Sequence, residues 1–210
     1  MYTLEVEDIL KKSDAEILAI AKQIRVGYEF KRILRYRTTR DLTVHSESDA
    51  EHVFALIYLA QYFLRVEPAA ASLNHEKVFT ILLFHDFPEI KYGDIPSYEK
   101  TTADEERESA AAKEVFASLP EPLGKIGYSA WLEYEEQKTP EAKFAYALDK
   151  IEPLFELFDP ISEHSLLTLK VTYELHISNK FPPVKNYPVM KRFTEVVTND
   201  MLARDVFWKS

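Results

Sequence analysis

Apolar side chains recur at spacings of three and four along most of this chain, the period of helices with one buried face. Over residues 14–35, Leu18, Ile20, Ala21, Ile24, Tyr28 and Ile33 can share one broad face. Residues 36–48 (YRTTRDLTVHSES) break the period and read as a loop. Ser48, followed by Glu51, has the pattern of a capping box, so a second helix is expected to start there and run to about Val66. A third is expected over roughly 74–86, stopping near Pro88, with a loop over 89–102. Further helices are expected at 103–118, at 122–137, from Thr139-Pro140 onward, at 162–179 and at 188–205. The acidic first turn of the 103–118 segment suits the helix dipole, and Pro140 suits a first helical position. Pro182-Pro183 predicts a turn between the last two helices.

The chain shows no internal repeat, no low-complexity segment and no stretch long enough to be a linker. The expectation is therefore one all-α domain over residues 1–210, a single compact helical bundle. Four glycines in 210 residues supply few of the tight turns that a β-rich fold needs.

Composition narrows the function classes. Hydrophobic residues at 46% and charged residues at 29% are ordinary for a globular protein. No run is apolar and long enough to cross a bilayer, and the stretch MYTLEVEDILKKSDAE does not read as a signal peptide. Cysteine is absent, which removes disulfides and thiolate metal ligands and leans toward a reducing compartment, so a cytoplasmic location is expected. A net charge of −9 argues against nucleic-acid polymers as partners. It leaves room for a small phosphorylated ligand in a local positive pocket.

Some polar residues do not fit helix packing. His52 opens a helix whose neighbours are Val53, Phe54, Leu56, Ile57 and Leu59, so it should be at least partly buried. Asp86 follows His85 at a helix C-terminus, where a carboxylate faces the negative end of the dipole and calls for a compensating positive charge. Asp149 sits in AKFAYALDKIEP, with Ala145, Leu148 and Glu152 on its side of the helix. Each residue alone has an ordinary structural explanation. Together they make a set of two nitrogens and two oxygens, suited to Mn, Co, Fe, Zn or Ni. Four protein ligands leave open positions on a six-coordinate ion, as a catalytic centre requires.

The order of these residues resembles the H…HD…D pattern of the HD superfamily of metal-dependent phosphohydrolases. Within it, ESDAEH at 47–52, HDFPEIKYGDIP at 85–96 and ALDKIEP at 147–153 are similar to the HD-domain 5′-deoxynucleotidases. The likeness spans roughly residues 28–155, with C-terminal helices at 160–206 completing the domain. It implies His52, His85, Asp86 and Asp149 as ligands of one divalent ion. It also implies Glu89 as the acidic catalytic residue, Asp94 on the sugar, and Arg37 on the phosphate. Lys150 can bind phosphate or pair with Asp149. Thr38 stands where several members have tryptophan after the arginine, with Tyr36 the only aromatic nearby, and Val53 stands where they often have serine.

The expected activity is hydrolysis of nucleoside 5′-monophosphates, deoxyribonucleotides first, by a homodimer. The alternatives are another nucleotide substrate (cyclic, triphosphate or guanosine polyphosphate) or a non-catalytic nucleotide sensor. His45, His75, His164 and His176 fall outside the pattern and read as surface or capping residues. Tyr58, Tyr62 and Phe63 read as core, and the acidic run ADEERE as a solvated helix face.

Overall fold

The computed structural model describes residues 13–35, 47–95, 98–157 and 165–209. Helix α1 spans Asp14–Ile24 and passes into a 3-10 segment, Arg25–Arg32, so the helix expected over 14–35 is two elements. Gly27 sits near the junction, and glycine is a weak α-helix former. The tighter winding of the 3-10 segment carries Phe30, which is buried with its ring 5.1 Å from that of Phe87.

Helix α2, Asp49–Val66, begins with both halves of the Ser48–Glu51 capping box in place. Ser48 also pairs with Leu34 in an isolated antiparallel bridge. Arg35 N donates to Glu47 O at 2.8 Å, and Asp49 N donates to Ile33 O at 3.1 Å. The first turn of α2 is thereby tied to the end of the 3-10 segment. This small bridge holds Arg35 beside the helix that carries His52.

Helix α3 covers His75–Phe84, with His85 as its C-cap. The chain turns through Asp86–Pro88 into a short helix, α4, Glu89–Tyr92, where a loop was expected. Gly93 ends α4 with φ 83° and ψ 165°, a conformation open to little besides glycine. Helix α5, Thr102–Ser118, opens on a second capping box, Thr101 with Asp104. Then come α6, Leu123–Glu136, and α7, Pro140–Glu156, with Pro140 in its first turn and Thr139 as N-cap.

The segment expected as one helix over 162–179 is interrupted: Lys170 adopts φ 53°, and Thr172 caps a new helix, α8, Tyr173–Val184. Pro182 and Pro183 lie inside the last turn of α8, not in a turn after it. So close to the end, prolines remove only the last helical donors, and the fully buried Val184 anchors the turn. Helix α9 spans Pro188–Ala203.

Helix α3 packs against α2, α6 and α7. Its Val78, Ile81 and Leu82 meet a core that includes Leu56, Phe63, Phe144, Leu148 and Ile151. Gly127 lets α6 come close to α3 and α5: a β-carbon there would lie 2.9 Å from the Phe84 ring and 2.6 Å from that of Phe116.

Three surface expectations are corrected. Phe63 is core, but Tyr58 and Tyr62 are 70% and 50% exposed, because α2 buries only its inner face. His176 is fully buried, its Nε2 3.1 Å from the Thr198 hydroxyl. The acidic run is split: Glu105 and Glu106 are exposed, whereas Asp104 caps α5 and Glu108 is buried in an ion pair with Lys100. No helix among the described residues is long and apolar enough to cross a membrane.

Candidate metal centre and active site

His52, His85, Asp86 and Asp149 meet at one point. His52 comes from the first turn of α2, His85 and Asp86 from the end of α3, and Asp149 from α7. His52 Nε2 lies 3.1 Å from Asp149 Oδ1 and 3.9 Å from Asp86 Oδ2. His85 Nε2 lies 3.0 Å from Asp86 Oδ2 and 3.7 Å from Asp149 Oδ1. One ligand atom from each of His52, His85 and Asp86 falls within 4.8 Å of the others.

The opposite nitrogen of each ring is committed. His85 Nδ1 donates to Leu82 O at 2.9 Å, and His52 Nδ1 donates to Glu152 Oε2 at 2.9 Å. A histidine that donates through Nδ1 turns the lone pair of its neutral form to Nε2, the orientation that second-shell partners impose on metal-binding imidazoles. Both Nε2 atoms then face carboxylate oxygens, acceptor against acceptor. Such a cluster holds together only with protons or a cation between its members. His85 Nε2 is buried without a hydrogen-bond partner of its own.

Asp149 is gripped from the other side. Its Oδ2 accepts from Tyr134 Oη and from Lys150 Nζ, each at 2.8 Å, which turns Oδ1 toward the imidazoles. Burial acts against ionisation, but Lys150 and the two histidines hold the Asp149 carboxyl well below its usual range. Burial likewise opposes ionisation of Asp86, and His85 outweighs it, so this carboxyl is also held low.

Glu89 projects from the first turn of α4, buried, with Oε2 unpartnered. Burial, together with Asp86, Asp49 and Asp94, raises it well above the usual carboxylate range. Asp94 follows Gly93 and lies 3.9 Å from Arg35 Nη1, which also reaches Asp86 Oδ2 at 3.4 Å, while Arg35 Nε reaches Glu47 at 3.2 Å. Arg37 falls outside the described residues, as do Tyr36, Thr38, His45 and His164; among the described residues, Arg35 lies beside the centre.

Several site residues were not singled out in the sequence. Glu152 lies one turn beyond Asp149 on the same helix face, and that spacing was the available signal. Asp49 is fully buried with neither carboxylate oxygen hydrogen-bonded; burial and Asp86 push it up to about 7. An acidic residue in the first turn of a helix is ordinary, so nothing in the sequence marked it. Tyr134 and Arg35 likewise carried no signal.

The centre opens into a cavity of about 440 Å³. Asp86, Glu89, Asp94 and Asp149 line it together with the apolar Ile95, Pro153, Leu157, Leu166 and Leu169. That combination suits a small ligand with one charged and one flat apolar end.

An all-helical protein with a buried histidine–aspartate centre beside such a cavity is the class that fold and site define. Residues 28–180 match the family model described as HD domain, and the chain belongs to the HD domain family. The human protein named 5′-deoxynucleotidase HDDC2 is 30% identical over 135 residues, a match covering 63% of this chain and 64% of that protein. The chain thus spans just under two thirds of that relative's length. The Schizosaccharomyces pombe protein named 5′-deoxynucleotidase hdd1 is 31% identical over 121 residues, covering 54% of this chain and 58% of its own. Among solved structures, one from Magnetospirillum magnetotacticum, described as a predicted metal-dependent phosphohydrolase, superposes with TM-score 0.78 at 25% identity, over 92% of this chain and 96% of that one. An HD-domain phosphohydrolase from Listeria innocua shares the fold, with TM-score 0.58 at 22% identity over 88% of this chain and 99% of its own.

Proposed function

We propose that this chain is a metal-dependent phosphomonoesterase that hydrolyses deoxyribonucleoside 5′-monophosphates to nucleoside and phosphate. The observation that carries the reading is the set of acceptor atoms from His52, His85, Asp86 and Asp149 turned on one another, with both Nδ1 atoms committed elsewhere. These residues fit a divalent ion: two nitrogens and two oxygens, with Nε2 of His85 buried and unpartnered. When bound, an ion such as Mn, Co, Fe, Zn or Ni supplies Lewis acidity toward phosphate oxygens and lowers the pKa of water.

The rest falls to the chain's own side chains. Water attacks phosphorus, the P–O5′ bond breaks, and the departing 5′ oxygen takes a proton. Glu89, whose burial favours its protonated form, gives that proton and takes one back from the attacking water. Asp94 accepts from the sugar 3′-hydroxyl, and Arg35 holds Asp86 and Asp94 in place. Lys150 steadies Asp149, and Arg37 holds the phosphate oxygens. The apolar lining of the cavity takes the base. The names of the human and yeast relatives support the substrate class.

The test is phosphate release from a panel of deoxy- and ribonucleoside monophosphates with Mn or Co added to purified protein. Deoxynucleotides are expected to turn over, and Asp86→Ala and Glu89→Ala to abolish it. Activity that survives both substitutions overturns the site.

A further inference from the structure

Lys180, on α8, lines the same cavity and is 2% exposed. The other cations that line it among the described residues are engaged: Lys100 pairs with Glu108, Lys150 with Asp149, and Arg35 with Glu47 and Asp86. Lys180 makes no hydrogen bond or ion pair among the described residues; its Nζ lies 5.6 Å from the centre of the Tyr98 ring. With the Tyr98 ring face as its contact and no carboxylate beside it, an ammonium taken out of water still lacks a counter-charge, and such a group is costly for a fold to carry. Burial first, and Lys150 second, push it down to about 7. Next to it, Asn179 also lines the cavity, and its Oδ1 is buried with no hydrogen-bond partner among the described residues. Consecutive residues lining the cavity thus lack hydrogen bonds that polar groups in a protein interior ordinarily make.

The cavity's other charged residues explain what is missing. Asp86, Asp94 and Asp149 repel any anion, and the arginine and lysine closest to them are already paired with them. We propose that Lys180 is a further cation that grips the substrate's phosphoryl oxygens alongside Arg37, contributed by the C-terminal part of the fold. This rests on the reading of the cavity as a phosphomonoester site and adds a residue to it. An incoming phosphate dianion supplies the counter-charge that Lys180 lacks, so the protein bears the unpaired ammonium only while empty.

The test uses metal-loaded full-length protein and inorganic phosphate as probe. Lys180→Met is expected to weaken phosphate binding, read by calorimetry, by roughly 10- to 100-fold, the span of a charged hydrogen bond. KM for deoxynucleotides should rise by a similar factor, with a smaller change in kcat. Lys180→Arg should recover most of the affinity, and Lys185→Gln, at the exposed end of α8, should change nothing. The melting temperature of Lys180→Met should stay level or rise, whereas a lysine kept for structure would lower it on removal. If Lys180→Met does not fold, reductive methylation of the wild-type protein gives the same answer: phosphate should shield Lys180, as seen by mass spectrometry. Unchanged phosphate affinity in a folded Lys180→Met, or no shielding of Lys180, overturns the proposal. Hydrolysis of deoxynucleotides alongside either result leaves the proposed function standing. Shielding and phosphate binding without any such hydrolysis removes the proposed function and leaves the phosphate role of Lys180 intact.

Discussion

Glu152 accepts the Nδ1 proton of His52 at 2.9 Å across 100 residues of sequence, while Asp149, one turn earlier on the same helix, faces the Nε2 of that ring at 3.1 Å. Helix α7 therefore supplies both the acid in the centre and the acid that orients the histidine opposite it. The ring is caught between two carboxylates of one helix face, with its Nδ1 committed to Glu152 before any ion arrives.

Removing that orienting acid should weaken metal binding without removing a ligand. Glu152→Gln keeps the side-chain volume and loses the charge. Metal affinity, measured by titration calorimetry with Mn or Co, is expected to fall about 10- to 100-fold, as for other outer-sphere partners of metal-binding histidines. Affinity equal to wild type would mean that Glu152 has no part in holding His52.

The imidazoles also make a prediction in pH. Burial and Arg35 pull His52 down, but Glu152 and Asp149 outweigh them and push it up to about 10. Burial pulls His85 down, and Asp86 with Asp149 pushes it up to about 9. Both folded values exceed the ordinary 6.5, so stabilisation from the charged rings is fully present below pH 6.5 and lost as pH rises through 9 and 10. Thermal melts of metal-free protein should show a falling melting temperature over that window. Metal must displace both protons, so its affinity should rise with pH over the same interval. Calorimetry at pH 7 in buffers of different ionisation heat should detect one proton released per imidazole.

Gly93 connects the buried Glu89 helix to Asp94. Its φ of 83° with ψ of 165° is strained for any residue with a β-carbon, although nothing lies within 4 Å of where one would sit. Gly93→Ala should therefore cost about 1–3 kcal/mol through the backbone alone. If the chain relaxes locally to relieve it, Asp94 moves away from Arg35. The expected outcome is a lowered melting temperature together with a raised KM for deoxynucleotides, read on the same preparation.

Ser48 caps the helix that carries His52 and also forms the bridge to Leu34. Ser48→Ala removes the side-chain half of the capping box and should destabilise by about 0.5–2 kcal/mol in urea melts. The backbone bonds of the bridge survive this change, so metal affinity should fall far less than with Glu152→Gln.

The site was legible in the sequence to the extent that its members lie near one another in the chain or match a family pattern. His85, Asp86, Glu89 and Asp94 fall within one stretch, and the spacing of His52 and Asp149 from it carried the resemblance. Glu152 lay on a recognised helix face but had no reason to be chosen, because its partner is in another helix. Arg35 beside the centre came from the bridge to Glu47, a contact that no local pattern encodes. His176 and Lys180 show the same limit. His176 reads as a surface or capping histidine and nothing in the sequence marks Lys180, until neighbouring helices close over them.

By itself the sequence determined what depends on interactions within a turn or two: the helical period, the Ser48–Glu51 cap, the start of α7 at Pro140, and the residue types able to hold an ion. Tertiary structure alone decided which polar groups face one another across helices, which are cut off from water, and where α8 begins and continues through Pro182 and Pro183. Local preferences are set by neighbours already tied together by the chain. Burial and electrostatic partnership depend on helices whose relative positions only the packed core fixes.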